Sequence, residues 1–253
     1  MTARGHGRRD FLGMLALGAA VTVLGGCGPS GPRKPEIPPA VPGPAASVTR
    51  APGPGHQIAL TVDDGFDPET LAAYVRLASD TGLALTFDPI GRLADTWQRH
   101  VKALRPLIDK GQVQIANHTF HHRLLTQCSD AQVRSEIERN EDWIEKTFRV
   151  TSRPYLRPPS GLRDARTDAI AGSLGFTRIL MWQGSFEDAA PVSATQLMIN
   201  ARKALLPGAV VVGHANVGTV TRLYPQLTAL IRERGLQPVT LDQMFGTSRS
   251  VGA

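Results

Sequence analysis

Hydrophobic residues in this chain fall into short blocks separated by amphipathic stretches. Ile58 to Val62 is a nearly continuous apolar run and predicts a buried strand. Asp67-Pro68-Glu69 then reads as an N-cap with proline at the first helical position. Leu71, Tyr74, Val75 and Ala78 share one helical face, and Gly82 ends the helix. The pattern repeats. Strands are predicted at Leu83–Phe87, Val113–Ala116, Pro154–Leu156, Phe176–Trp182, Ala209–Val212 and Leu236–Leu241. Between them, helical patterns run near Trp97–Lys110, from Ser129 to Phe148, near Arg166–Leu174, from Ser193 to Leu205 and near Arg222–Arg234. Ser129 to Gln132 and Ser193 to Gln196 have the form of capping boxes. Regular alternation of strand and helix argues for an α/β fold, a closed or nearly closed barrel of about seven parallel strands. No dinucleotide or phosphate-binding glycine loop interrupts it.

The first 55 residues read differently. Gly7-Arg8-Arg9-Asp10-Phe11-Leu12 looks like a twin-arginine export signal, followed by an apolar stretch from Phe11 to Leu24. Leu24-Gly25-Gly26-Cys27 resembles a bacterial lipobox, so residues 1–26 are expected to be a signal peptide and Cys27 the lipidated residue. Residues 27–55 are rich in Pro, Gly and Ala and read as a semi-extended tether, leaving 56–253 as the globular domain. The expected address is export, with lipid anchoring on the outer face of a bacterial cytoplasmic membrane. The chain has two cysteines. With Cys27 lipidated, Cys128 has no disulfide partner and is expected to be a small buried hydrophobe. A cysteine-based zinc site is excluded.

Of 253 residues, 42% are hydrophobic and 20% charged, enough for a sizeable core. The net charge of +6 and pI near 9.8 suit an anionic surface or envelope polymer. No basic run with interleaved aromatics is present, so nucleic acid is not an expected partner.

Polar residues gather after the predicted strands. Asp63 and Asp64 follow the first, Asn117-His118-Thr119-Phe120-His121-His122 the third, Arg157-Pro158-Pro159-Ser160-Gly161 the fourth. Trp182 ends the fifth with Asp188 in the loop beyond, and Gly213-His214 follows the sixth. In a parallel barrel these strand ends meet at one mouth, where active sites sit. Adjacent carboxylates repel, and a cation or an arginine would stabilise them. His118 and His122 are four apart, and a helical turn would put both on one face; His121 offers a competing pair that spacing does not exclude. Two histidines and one carboxylate would make a three-ligand site with an open position for water, as in hydrolytic zinc sites. Periodicity does not say which acid of the pair binds the metal.

These segments resemble the motifs of the polysaccharide deacetylases, carbohydrate esterase family four with its NodB-homology domain. Thr61-Val62-Asp63-Asp64-Gly65 is similar to Thr-Phe-Asp-Asp-Gly, His118 to His122 to His-(Ser/Thr)-x-x-His, Arg157 to Gly161 to Arg-Pro-Pro-Tyr-Gly, and Val212-Gly213-His214 to Leu-x-His. The resemblance implies a deformed (β/α) barrel and a divalent metal, zinc first and cobalt, nickel or manganese as alternatives. It implies Asp64, His118 and His122 as ligands, Asp63 as base, Arg157 as its orienter and His214 as general acid. Asp188 is then placed to tune His214, and Ser160, through its backbone N–H, and Trp182 to line the oxyanion and substrate pocket. The chain departs from the pattern at Ser160 (usually tyrosine), at Ala189, which lacks the aromatic of the acetyl pocket, and at Ala215, commonly aspartate. The implied activity is deacetylation of an N-acetylated glycan such as peptidoglycan, with an O-acetyl esterase or a non-catalytic glycan-binding lipoprotein as alternatives.

Overall fold

The computed structural model describes residues 37–247. The expected signal segment and Cys27 lie outside the described residues. Among the described residues no helix is long and apolar enough to cross a membrane.

In chain order the elements are β1 (Ala46–Val48), β2 (Gln57–Asp64), α1 (Pro68–Thr81), β3 (Leu85–Pro89), α2 (Ala94–Gln98), α3 (Val101–Asp109), β4 (Val113–Ile115) and α4 (Asp130–Phe148). There follow β5 (Tyr155–Leu156), α5 (Ala165–Ser173), β6 (Arg178–Leu180), β7 (Gly184–Ser185), α6 (Ala194–Ala204), β8 (Val210–His214), α7 (Tyr224–Glu233), β9 (Gln237–Val239) and α8 (Leu241–Phe245). One sheet runs β4-β3-β2-β8-β7, with β9 on the start of β2; a second runs β1-β6-β5. All ladders are parallel. Bridges between Asn117 and Leu156 and between Arg50 and Ala209 join the two sheets on either side, giving the deformed barrel the pattern implied. β2 is its central strand: every residue but Gln57 is buried, which is why it reads as an uninterrupted apolar run.

Local chemistry sets the helix ends as expected in most places. The Asp67 carboxylate accepts from the Glu69 and Thr70 N–H groups, and Gly82 terminates α1 at φ 74°. Ser129 and Gln132 form the reciprocal box at α4. At α6 only half forms: Ser193 Oγ accepts from the Gln196 N–H, but the Gln196 amide donates to Asn200 instead.

The structure differs from expectation in five places. Residues 43–51, read as tether, belong to the barrel: β1 pairs with β6, and Ala51 N–H donates to the Gly208 carbonyl at 2.7 Å. Backbone pairing needs no large apolar side chains, so composition did not reveal it. Among the described residues nine strands replace about seven, because β1 and the two-residue β7 carry no periodic signal. The helix near Trp97–Lys110 is two, α2 and α3, with fully buried Trp97 near the break. The last predicted strand stops at Val239, where Thr240 caps α8. Cys128 is half-buried rather than buried, beside the cluster of Leu125, Val133 and Ile137.

Candidate active site

β2 ends in Asp63 and Asp64, both buried. Asp64 adopts a left-handed φ of 74°, and Gly65 follows at 103°. Its carbonyl accepts from the Trp97 indole N–H at 3.1 Å, and a Cβ on Gly65 would lie 2.7 Å from that nitrogen. The turn that aims Asp64 therefore requires a glycine here.

His118 and His122 meet, but not on a helical turn: residues 116–122 form a loop with left-handed φ at Thr119 (65°) and His122 (61°). The Asn117 amide oxygen accepts from the Thr119 N–H, and Thr119 Oγ1 accepts from the His122 N–H, which holds this shape. The two imidazoles stand edge to face, 4.8 Å apart. His121 is turned away, its Nδ1 2.7 Å from buried Glu136. Glu136, absent from the sequence reading, thus separates the histidines that spacing left equivalent.

One ligand atom each from Asp64, His118 and His122 lies within 4.8 Å of the others. His118 Nδ1 is 2.8 Å from the Arg157 carbonyl, so Nδ1–H donates there and Nε2 faces Asp64 Oδ1 at 3.4 Å. His122 Nε2 is 3.7 Å from the same oxygen. Asp64 Oδ1 is buried with no hydrogen-bond partner, while Oδ2 accepts from the Asn216 amide at 2.6 Å. Burial by itself would raise the Asp64 carboxyl; His118 and Asn216 outweigh it and hold the group well below the usual range. Burial and the neighbouring His118 keep His122 low, hence neutral. An ionised carboxylate with an unsatisfied oxygen and two imidazole nitrogens is a donor set that fits a divalent cation.

Arg157, on the loop after β5, is fully buried. It donates to Thr61 Oγ1 at 2.7 Å, and its guanidinium lies 3.8 Å from Asp63, 3.9 Å from Asp88 and 5.3 Å from the Trp182 ring centre. Asp88 on β3 sits directly across from Asp63 in register and is also fully buried, with neither oxygen hydrogen-bonded to the Arg157 guanidinium. Burial, then the charge of Asp63, push its carboxyl well above the usual range; Arg157 pulls down without restoring it. Sequence reading missed Asp88. The only available signal was a charged residue within an apolar run, Leu85-Thr86-Phe87-Asp88. Asn216 was missed too, although it stands two residues after His214.

On the opposite side His214 Nδ1 is 3.0 Å from Asp188 Oδ1. Burial works against a charged His214, but the Asp188 carboxylate and then Asp63 raise its pKa above the ordinary value. Tyr74 and Tyr224 lie close enough to Asp188 to feel its charge; burial and then that charge push their phenols up, so they remain protonated. A cavity of about 390 Å³ opens between these groups, lined by Asp63, Asp64, His118, His122, Ser160, Gly161, Trp182, Glu187, Ala189 and His214 among others. Ser160, at φ 56°, is exposed at its mouth. A Cβ on Gly161 would meet Trp182 at 2.8 Å, so a glycine lets this loop lie on the indole. Every site residue expected within the described segment borders this cavity or contacts a residue that does.

The strand ends of this parallel barrel thus gather a carboxylate–arginine pair, a carboxylate–imidazole pair and a three-residue cluster that could hold a cation. The chain belongs to the polysaccharide deacetylase family, whose model matches residues 50–179, about half of it. It is 25% identical over 197 residues to a peptidoglycan-N-acetylglucosamine deacetylase of Bacillus cereus, covering 74% of this chain and 87% of that protein. It is 24% identical over 132 residues to an uncharacterised 30.6 kDa protein of Geobacillus stearothermophilus, covering 52% of this chain and 48% of that protein, so it spans about half the latter's length. Among solved structures it resembles a carbohydrate esterase family four pseudoenzyme from Bacillus anthracis, with TM-score 0.69, 19% identity, and coverage of 80% of this chain and 69% of that one. A pseudoenzyme on this fold shows that the fold alone does not confer activity.

Proposed function

We propose that the protein is a metal-dependent hydrolase that removes acetyl groups from an N-acetylated glycan of the cell envelope, peptidoglycan or a related polymer, and releases acetate. The observation that carries the proposal is the ionised, half-unsatisfied Asp64 among His118 and His122, with Asp63 and His214 on either side of the same cavity. Asp64, His118 and His122 would hold the cation, zinc by donor type with cobalt, nickel or manganese as alternatives. When bound, it supplies Lewis-acid polarisation of the acetyl carbonyl and lowers the pKa of water.

The chain's own groups do the rest. Asp63 takes a proton from the attacking water as its oxygen adds to the carbonyl carbon. Arg157 orients Asp63, itself braced by Thr61, Asp88 and the Trp182 face. The Ser160 N–H, at the cavity mouth, is a donor for the oxygen that becomes anionic, a kind of contact worth about 3–4 kcal/mol. His214 gives its proton to the nitrogen as the C–N bond breaks, freeing the amine. Asp188 keeps His214 protonated until that moment. Trp182, Ala189 and Val212 wall the acetyl group. Export and a lipid anchor at Cys27 would place the enzyme at the outer face of the cytoplasmic membrane, where such glycans are found.

The test uses purified protein with its metal content measured. Acetate release is followed from N-acetylated and O-acetylated glycans. His118→Ala is expected to lose the metal, and Asp63→Asn to keep it while losing activity. Metal-replete wild-type protein that releases no acetate from either substrate would refute the proposal and favour a glycan-binding role. Loss of metal in Asp63→Asn would reverse the roles within the acid pair.

A further inference from the structure

Outside the cavity, one exposed pair has no part in the chemistry above. Phe66 follows the Asp63-Asp64-Gly65 turn and is 44% exposed. The Arg92 guanidinium lies over its ring at 5.1 Å. Both positions are fixed by backbone. The Phe66 N–H reaches Asn216, which also holds Asp64, and the Arg92 N–H donates to the Phe120 carbonyl in the histidine loop at 2.8 Å. Arg92 is exposed and has no carboxylate partner among the described residues. It is close enough to His122 for its charge to act on that ring. The cavity wall also carries an exposed Glu187. Arg92 therefore adds a positive charge beside Phe66.

We propose that Phe66 and Arg92 form a subsite for a carboxylate-bearing sugar adjacent to the one being deacetylated. The phenyl ring holds the guanidinium out over the rim, where its fork matches a carboxylate. The net charge of +6 favours approach of such a polymer. The substrate class rests on the deacetylase reading; the binding preference does not depend on turnover.

The experiment measures calorimetric affinity with the full chain carrying Asp63→Asn. The probes are peptide-free peptidoglycan strands with intact carboxylates and the same strands with those groups amidated. Intact strands should bind about tenfold more tightly at low salt, and added Arg92→Gln should bring the ratio to about one with unchanged circular dichroism. Arg92→Lys should retain part of the preference, and Phe66→Ala should reduce it by freeing the guanidinium. Equal affinity for both probes, no binding of either, or a preference that survives Arg92→Gln overturns the subsite. An Arg92-dependent preference in a wild-type protein that releases no acetate leaves the subsite standing and removes the deacetylase reading.

Discussion

Replacing Asp188 by asparagine isolates the charge behind His214. The two shapes match, and the asparagine oxygen still accepts from Nδ1–H at the 3.0 Å the pair now spans. What disappears is the negative charge, on a side chain only 1% exposed, against an imidazole 16% exposed. A hydrogen bond to a charged partner is worth about 1.5–3 kcal/mol and a neutral one about 0.5–1.5, a difference of roughly 1–1.5 kcal/mol. At 1.36 kcal/mol per pKa unit, that lowers His214 by about one unit. A bound cation repels the imidazolium equally in both proteins and cancels in the comparison. Since the proton donor must be charged, activity falls as pH rises through its pKa. The alkaline limb of kcat/KM should therefore move down by about one pH unit in Asp188→Asn. The assay is initial acetate release across pH with both proteins fully metal-loaded. A uniform drop in rate with the limb unmoved, or a limb moved upward, would refute Asp188 as the charge that holds the His214 proton.

Two further outcomes follow from the barrel's interior and edge. Asp88 is held neutral by burial and by Asp63, so Asp88→Asn should keep kcat within about threefold, whereas Asp88→Leu should lower it by about 1–3 kcal/mol in activation terms by leaving Arg157 less satisfied. Equal damage from both variants would mean that Asp88 acts as an anion. A chain beginning at His56 should melt well below one beginning at Pro42, because it loses the β1–β6 ladder and five further backbone hydrogen bonds, in which Gly43, Ala46 and Ala51 donate and Val48 and Thr49 accept. At about 1 kcal/mol each, the deficit is on the order of 3–5 kcal/mol, read by denaturant titration. Equal stabilities would restore the tether reading of residues 43–51.

Much of the site was legible because its chemistry sits in short contiguous runs. Asp63-Asp64-Gly65, the histidine loop, Arg157 to Gly161 and Gly213-His214 each end a strand, and parallel strands carry their ends to one place. What was not legible came from pairing between distant segments. β1 has no apolar pattern because its role is to offer backbone donors and acceptors to β6. Asp88 looks like an interruption in a strand until β3 lies beside β2.

The alternation of strand and helix, hence the barrel, and the identity of the residues gathered at its mouth are written in the chain. Apolar periodicity and helix caps are local, and local chemistry suffices to specify them. Tertiary structure decided which imidazole faces Asp64 and which is diverted to Glu136, and which acid stands between Arg157 and the cavity. It also decided that a second buried carboxyl leans on the same guanidinium. Those choices depend on the direction of side chains from separate strands and on their loss of water, and neither is a property of a single stretch of chain.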